Sequence, residues 1–317
     1  MGVGELLSDA VSGGAGRWLA ARVEDPSLLE RALPHGALAI WHRTARDGRP
    51  ASAWPPRGPF EGIALHLPRS SAEVTMTLYA LAARLAPGGR LVVAGNNDEG
   101  IRPAFRRLSD LFTDVVDHGG RGHGRVYTAR SPRSALRGEI DEWAEQVELE
   151  LGGATERLTS WPGLFAHGRL DAATALLLAH LPPLGPRVLD LGCGIGPVAF
   201  ALAAGGHEVD ASDVDALAVE ATRRNVPSAT VHLADGLPRG AWDAIVTNPP
   251  LHRGGDRDAG WVRGLLRSAA EHVRPEGVLV IVTRATIPIA EWASPARAAR
   301  LASDGRATVW SVTIQRA

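Results

Sequence analysis

The 317-residue chain contains no lysine, so all 34 of its basic side chains are arginine. They are balanced by 35 carboxylates, which leaves a formal net charge of −1. A global positive field of the kind that attracts nucleic acid is therefore absent, and any contact with RNA must come from a local patch. Phosphate contacts in such a patch would be made by forked guanidinium groups rather than by lysine point charges.

Cysteine is also nearly absent. Cys193 is the only one, which excludes disulfides within the chain and metal clusters held by several thiolates. No apolar run approaches the roughly 18 residues of a membrane-spanning helix, and residues 1–25 lack the apolar core of a signal peptide. From these absences we expect a soluble, cytoplasmic protein without a metal or a membrane partner.

The chain is long enough for two domains, each with its own hydrophobic core. Strand and helix candidates alternate along the first half, at 36–41, 60–67, 72–85, 90–95, 102–112 and 125–129. This alternation predicts an α/β fold with a parallel-rich sheet flanked by helices. Alternating polar and apolar residues on both sides of Gly152-Gly153 predict a β-hairpin near the middle of the chain.

The two halves of the chain resemble each other. Matching segments stand at 85–94 (L-A-P-G-G-R-L-V-V-A) and 273–282 (V-R-P-E-G-V-L-V-I-V), and at 63–68 (I-A-L-H-L-P) and 244–249 (A-I-V-T-N-P). We therefore expect an internal duplication that produces two tandem Rossmann-like domains, at 1–135 and 136–317. The first copy is degenerate, because it has no glycine loop and carries Leu67-Pro68-Arg69 where the second has Asn-Pro-Pro.

The segment R-V-L-D-L-G-C-G-I-G-P at 187–197 begins with a short apolar run that predicts a buried parallel strand. Glycines at a strand-to-helix turn permit positive φ and let a ligand approach the backbone closely. Gly192, Gly194 and Gly196 depart from the dinucleotide fingerprint, which needs its last glycine at position 197, where this chain has proline. The spacing therefore argues against an NAD-dependent oxidoreductase.

Carboxylates follow the next two strands predicted for the second half. Asp213 stands about 20 residues after Gly192, the distance at which an acidic residue binds ribose hydroxyls. Asp213 or Asp215 could instead cap the following helix. Asp235 follows the third strand, where a carboxylate can accept a hydrogen bond from an adenine amine or can simply lie in an exposed turn.

The fourth strand of this half, predicted at 242–247, ends in Asn248-Pro249-Pro250. As a bare tripeptide this is often only a turn. At the end of a strand beside a glycine loop, however, the Asn248 amide oxygen and the Pro249 carbonyl can each accept one N–H of a planar exocyclic amine. These contacts would orient the nitrogen toward an electrophile bound at the loop, and the rigid proline would hold its carbonyl in place.

Asp190 before the glycine loop, the later carboxylates and Asn-Pro-Pro together resemble class I S-adenosylmethionine-dependent methyltransferases. The segment W-P-G-L-F-A-H-G-R-L-D at 161–171 is similar to the one that precedes the cofactor loop in small-subunit ribosomal RNA guanine-N2 methyltransferases. This resemblance implies methylation of guanine N2, with ribosomal RNA or the small ribosomal subunit as partner.

The resemblance also implies roles for particular residues. S-adenosylmethionine would be bound by Asp190, Gly192, Gly194, Gly196, Asp213, Asp235, Phe165 and Asp171. For Asp171, a plain helix N-cap is an equal alternative. The catalytic residues would be Asn248, Pro249 and Pro250, and the substrate would contact Leu251 and His252. His252 matches a histidine that is frequent in the family, although by itself it would be an ordinary loop residue.

One departure from the family leaves the substrate open. The family usually has an aromatic residue where this chain has Leu251, and base–aromatic stacking contributes roughly 1–3 kcal/mol. The alternatives are methylation of a protein glutamine, methylation of adenine in nucleic acid, and a non-catalytic RNA-binding factor. Eight arginines between Arg102 and Arg137 could follow an RNA backbone or could form a solvated face.

Overall fold

The computed structural model describes residues 2–46, 48–133, 136–165, 168–249, 255–293 and 297–314. The chain divides into two compact units. The first comprises Met1–Thr44, Arg49–Ala144 and Trp161–Gly163, and the second comprises Ala45–Gly48, Glu145–Ser160 and Leu164–Ala317.

Residues 136–144 belong to the first unit, whereas the sequence-based boundary assigns them to the second. They are held there by side chains of the first unit. The indole N–H of Trp54 donates to the carbonyl of Gly138 at 2.8 Å, and Arg84 donates to the same oxygen. Trp143 packs edge-on against Tyr79, with ring centroids 5.5 Å apart. None of these pairings is close in sequence, so composition alone gave no sign of them.

The first unit contains α1 Val3–Val11, β1 Trp18–Ala21, α2 Ser27–Ala32, β2 Leu38–Trp41, β3 Phe60–His66, α3 Ser71–Ala82, β4 Leu85–Asn96, α4 Ile101–Leu111, β5 Phe112–Arg121 and β6 Gly124–Pro132. Its six-stranded sheet has the order β2-β1-β3-β4-β6-β5. The strands from β2 to β4 run parallel, and β6 lies antiparallel to both β4 and β5. The sequence patterns did not predict α1, β1, α2 or β5. β1 is only four residues long and buried throughout, so it shows no alternation.

The second unit contains β7 Glu145–Leu151, β8 Ala154–Ser160, α5 Ala172–Ala179, β9 Arg187–Leu191, α6 Pro197–Ala204, β10 Glu208–Asp213, α7 Ala216–Asn225, β11 Thr230–Leu233, β12 Trp242–Thr247, α8 Gly255–His272, β13 Val273–Arg284, α9 Ile289–Trp292, β14 Arg297–Ser303 and β15 Ala307–Thr313. β7 and β8 form the predicted hairpin, and Gly152 and Gly153 at its turn both have positive φ. The sequence patterns did not predict α9 or β14.

The large sheet of the second unit has the order β11-β10-β9-β12-β13-β15-β14. The strands from β11 to β13 run parallel, and β15 is antiparallel to β13 and β14. Side chains of the central strands alternate between two cores, with Val188 and Val246 on one face and Leu189 and Ile245 on the other. Helices cover both faces, which explains why these strands read as continuous apolar runs.

The two sheets have the same topology. β1, β2, β3, β4, β6 and β5 of the first unit correspond in order to β9, β10, β12, β13, β15 and β14 of the second. Among the strands that the structure describes, the outer strand β11 alone has no counterpart in the first sheet. The duplication expected from the sequence is therefore present in strand order and direction, and β1 is the counterpart of the strand that carries the glycine loop.

An ion cluster lies where the first unit would need a glycine loop. Arg22 directly follows β1 and has a φ of 60°, in the same left-handed region as Gly192 after β9. The Arg22 guanidinium lies 2.6 Å from the carboxylate of Glu73 on α3, and that of Arg43 lies 2.9 Å from the same oxygen. Glu73 and Arg43 are buried, at 5% and 7% exposure. The first copy thus fills the end of its central strand with its own side chains.

This cluster should be essential to the stability of the first unit. Glu73→Gln keeps the shape of the side chain but leaves two guanidinium groups without their carboxylate, and breaking a buried pair in this way costs about 3–5 kcal/mol. The matched control is Glu220→Gln, which removes the partly exposed pair between Glu220 and Arg224 on α7 and should cost about 0.5 kcal/mol or less. Guanidinium unfolding followed by circular dichroism measures both. Equal losses for the two variants would show that the cluster is not structurally important.

Candidate functional site

The glycine loop lies at the carboxyl end of the central strand β9. Gly192 N and Cys193 N both donate to the carbonyl of Ser212, at 2.8 and 3.0 Å, which ties the loop to the neighbouring strand β10. Gly192 and Gly194 have φ values of 79° and 57°, and a Cβ atom at either position would meet no other atom within 4 Å. Glycine is therefore required by the backbone conformation, and the space beside the loop is open.

Gly196 has a different role in the same loop. It is the N-cap of α6, with a φ of 90°, and Pro197 occupies the first helical position. A Cβ atom here would lie 3.1 Å from the hydroxyl of Thr222 on α7. That hydroxyl donates to the carbonyl of Gly194 at 3.0 Å, so α7 fixes the position of the loop.

Asp190 lies under the loop, near the end of β9, and is only 2% exposed. Its Oδ2 accepts a hydrogen bond from the backbone N–H of Ala199 at 3.0 Å. Burial raises the pKa of Asp190 to about 7, and the charge of Asp213 adds to the rise, while the bond from Ala199 opposes it. The carboxylate is thus held in a place that disfavours its charge.

Asp213 is the last residue of β10 and bonds to the loop from the other side. Its two oxygens accept from Gly194 N at 3.0 Å and from Asp215 N at 2.9 Å, and burial raises its pKa. Asp215 is the residue that caps α7, because its carboxylate accepts from Leu217 N at 2.9 Å. Within the described part of the chain, neither Asp190 nor Asp213 forms an ion pair with an arginine. Two uncompensated carboxyl groups beside an open loop suit a ligand that carries positive charge.

Asn248 follows β12, directly beside β9, and its side chain is held by two partners. Its Nδ2 donates to Asp171 Oδ2 at 2.9 Å and to Thr174 Oγ1 at 2.8 Å. A carboxylate only accepts, so these contacts define which end of the amide is the nitrogen. The amide oxygen therefore points away from this anchor and remains available as an acceptor.

Asp171 is the N-cap of α5, and its Oδ2 also accepts from Ala173 N and Thr174 N, both at 3.1 Å. The helix-cap interpretation of this residue is therefore what the structure shows, and the same oxygen anchors Asn248. Sequence reasoning missed Thr174, which stands one helical turn after the cap. The only available signal was its spacing from Asp171, and many helices have a threonine there without such a role.

Some of the site residues predicted from the sequence line one cleft, and others lie outside it. One cleft is lined by members of both predicted groups, namely Phe165, Asp171, Asp190, Gly192, Gly194 and Asn248. Phe165 is 50% exposed at this cleft, and Pro249 is buried. Asp235 is exposed in the turn after β11 and does not line the cleft. Pro250, Leu251 and His252 lie outside the described residues.

Among the residues with described positions, no group of three or more His, Cys, Asp or Glu side chains could hold a metal ion. None of the helices in that part of the chain is both long and apolar enough to cross a membrane. Cys193 in the loop is buried, and burial raises the pKa of its thiol.

The charge of Asp190 should make the stability of the second unit depend on pH. Its folded-state pKa of about 7 lies above the ordinary value of 3.8. The folded state therefore retains the proton more strongly, and stability is lost as the pH rises through this window. Asp190→Asn removes this dependence, so the stability of the variant relative to wild type should increase between pH 4 and pH 8. The expected gain is on the order of 2–4 kcal/mol.

Urea unfolding at several pH values measures this gain. Asp235→Asn removes an exposed carboxylate and is the control, with no comparable trend expected. A difference between Asp190→Asn and wild type that stays constant with pH would contradict a buried, uncompensated carboxyl group.

Comparisons with known proteins agree with this geometry. The family model for the methyltransferase small domain matches residues 156–295, and the model for its N-terminal domain matches residues 45–147. Ribosomal RNA small subunit methyltransferase C of Chromohalobacter salexigens is 34% identical over 291 residues, which cover 82% of this chain and 85% of the relative. The protein of the same name from Stutzerimonas stutzeri is 35% identical over 241 residues, covering 73% and 72% of the two chains.

A solved structure shows the same fold. It is the T. thermophilus 16S rRNA N2 methyltransferase (RsmC) in complex with AdoMet and guanosine, with a TM-score of 0.83 and 24% identity. The match covers 99% of this chain and 92% of the other. The two sheets of this chain are thus two methyltransferase-like domains, one with an open glycine loop and one without. With this fold, the two domain models and relatives that match along most of their length, the chain belongs to the ribosomal RNA small subunit methyltransferase C family.

Proposed function

We propose that the protein transfers a methyl group from S-adenosylmethionine to the exocyclic N2 amine of guanine in small-subunit ribosomal RNA. The observation that carries this proposal is the anchored amide of Asn248. Its nitrogen is held by Asp171 and Thr174, its oxygen is left to accept, and it lines the same cleft as the glycine loop. The geometry combines a cofactor loop with an acceptor for an amine N–H.

The residues around the loop fit the cofactor. S-adenosylmethionine, when bound, supplies an electrophilic methyl group on a positively charged sulfur. Asp190 and Asp213 are buried carboxyl groups that can offset the positive charge of such a ligand. Gly192 and Gly194 leave open space beside the backbone for it. We propose that Asp213 accepts from the ribose hydroxyls, that Asp235 contacts adenine, and that Phe165 covers the methionine end. Asp171 then contributes mainly through its hold on Asn248.

The proposed role of Asn248 is to orient the target nitrogen. Its amide oxygen accepts one N–H of the amine, and the carbonyl of Pro249 accepts the other. Both contacts turn the nitrogen lone pair out of the ring plane, toward the methyl donor. In this step the new C–N bond would form as the bond between the methyl group and sulfur breaks, and the sulfur would leave as a neutral thioether. The amine proton becomes acidic in the same step and would pass to solvent, so no strong base is required. Pro250, Leu251 and His252 continue this motif and are proposed to contact the base.

The choice of guanine in RNA comes from the relatives. The curated relatives are named ribosomal RNA small subunit methyltransferases, and the solved structure is named as an N2 methyltransferase with guanosine bound. A substrate on the small ribosomal subunit would also place the protein in the cytoplasm. For the first unit we propose substrate handling, because the ion cluster of Glu73 fills the end of its central strand and leaves no loop for a cofactor.

The direct test is tritium transfer from labelled S-adenosylmethionine to separated ribosomal subunits, total RNA and protein, followed by nucleoside analysis. Label should appear as N2-methylguanosine in small-subunit RNA. Label in a protein glutamine or as methyladenosine would replace the assigned substrate with one of the alternatives. Cofactor binding without transfer to any acceptor would favour a non-catalytic RNA-binding factor.

Asn248→Ala should abolish most of the transfer while leaving the cofactor bound. Loss of one well-oriented acceptor lowers kcat by roughly 100-fold or more, by analogy with the removal of a single preorganised hydrogen-bonding group from other active sites. Calorimetric titration with S-adenosylmethionine should give an affinity close to that of wild type. Wild-type rates in Asn248→Ala would remove the central residue of the proposal.

Asp171→Ser separates helix capping from the orientation of Asn248. Serine is a good N-cap, so the free energy of unfolding should change by about 1 kcal/mol or less. Serine is too short to retain the bond to Asn248 Nδ2, so kcat should fall roughly 10- to 100-fold as the amide loses its fixed orientation. If the variant instead weakens cofactor binding and leaves kcat unchanged, Asp171 acts on the cofactor rather than through Asn248.

A further inference from the structure

The first unit contains a cavity of about 570 Å³ that the proposed reaction does not use. It lies on the face of the sheet covered by α1, where β6 runs antiparallel to its two neighbours, β4 and β5. Leu6 of α1 and Val126 of β6 form part of its apolar lining, and the half-exposed Val116 lies beside them. Polar side chains complete the wall, and two of them are guanidinium groups, those of Arg90 and Arg130.

These two arginines are direct cross-strand partners. Arg90 on β4 pairs with Arg130 on β6 in the antiparallel register. Like charges placed directly opposite each other on a sheet are destabilising. In the described part of the chain neither forms an ion pair with a carboxylate, although Asp114 is the register partner of Arg130 on β5. Burial lowers the pKa of Arg90, and the charge of Arg130 lowers it further.

The surroundings of the pair fit an anion with several oxygen atoms. The Arg90 guanidinium lies over the ring of Trp18, 5.1 Å from its centroid, which restricts its orientation. Thr128 stands two residues before Arg130 on the same face of β6, and its hydroxyl lies 2.8 Å from the imidazole Nε2 of His118 on β5. Both side chains line the cavity and can donate hydrogen bonds. Asp9 on α1 also lines the cavity and brings one negative charge to it.

From this arrangement we infer that Arg90 and Arg130 hold a backbone phosphate of the RNA substrate, with Thr128 and His118 as additional donors. The inference rests on the proposed RNA substrate and extends it to a defined site in the first unit. Guanidinium groups bind phosphate oxygens through two parallel hydrogen bonds, which explains why two of them face one space. The apolar wall beside them suits the sugar of the same nucleotide. The sequence-based candidate for RNA binding was the Arg-rich stretch between Arg102 and Arg137. Arg130 belongs to that stretch, whereas Arg90 lies outside it.

The test is binding of a small-subunit ribosomal RNA transcript to the full-length protein, by filter binding without cofactor across a range of salt concentrations. Arg130→Gln should weaken binding about tenfold, as expected for loss of a charged hydrogen-bonding group. The slope of log affinity against log salt should become shallower by about 0.7–0.9, which corresponds to one phosphate. Arg90→Gln should have an effect of the same kind, and Asp9→Asn should tighten binding because it removes a negative charge.

The matched control is Arg31→Gln, which removes an exposed arginine of α2 outside the cavity and should leave affinity and salt slope unchanged. Thermal unfolding separates a binding role from a structural one. Because Arg130 is exposed and faces a like charge, Arg130→Gln should not lower the melting temperature, so its loss of RNA affinity cannot come from misfolding. Unchanged RNA affinity in a folded Arg130→Gln variant would overturn the inference.

Failure of the phosphate site and failure of the proposed methyl transfer give different results. If wild type methylates small-subunit RNA but its KM for RNA is unaffected by Arg130→Gln and Arg90→Gln, the phosphate site is wrong and the reaction stands. If wild type binds no RNA, both fail. If the variants weaken RNA binding while the label of the transfer assay goes to another acceptor, the site stands as an RNA contact and the assigned reaction fails.

Discussion

The structure depends on how the chain leaves the central strand of a parallel sheet. At the end of β9 the backbone must enter the left-handed region to turn into the next helix, and Gly192 does so at a φ of 79°. At the equivalent place after β1, Arg22 adopts a φ of 60°, although a side chain is strained there. The same backbone constraint is met in both copies, but only glycine meets it while leaving the end of the strand open. The two strand ends thus differ in one side chain: Arg22 reaches into an ion cluster after β1, whereas Gly192 leaves open space after β9.

The contacts of the Arg22 side chain stabilise its strained backbone conformation. The guanidinium forms an ion pair with Glu73, which also pairs with the buried Arg43. A residue held in a sparsely populated conformation persists only where its surroundings determine it strongly. In the second copy, the equivalent position makes no such contacts, and the buried charges there belong to Asp190 and Asp213 instead. The first copy pairs its buried carboxylate with its own guanidinium groups, whereas the buried carboxyl groups of the second have no arginine partner among the described residues.

Sequence reasoning predicted the parts of the site that are local in the chain. The glycine loop, Asp213 and Asn248 each stand at the end of a predicted strand, and the parallel sheet brings such ends to one edge. The anchor of Asn248 could not be predicted, since Asp171 and Thr174 lie more than 70 residues earlier, and only the packing of α5 brings them together. The ion cluster of the first unit was missed for the same reason, since Arg22, Arg43 and Glu73 lie in three segments that are distant from one another in the chain. β1 was missed because four buried residues carry no periodic signal.

The two buried charge arrangements also explain why a duplicated fold can be retained without a duplicated site. A sheet of this topology needs a turn after its central strand, but it does not need a cofactor there. In the first copy, Arg22 and Glu73 occupy the end of β1 with an ion pair instead. What remains exposed is the antiparallel side of the sheet, where Arg90 and Arg130 face each other at a cost to stability. An anion bound between these two arginines would relieve their repulsion, and RNA carries a phosphate at every nucleotide.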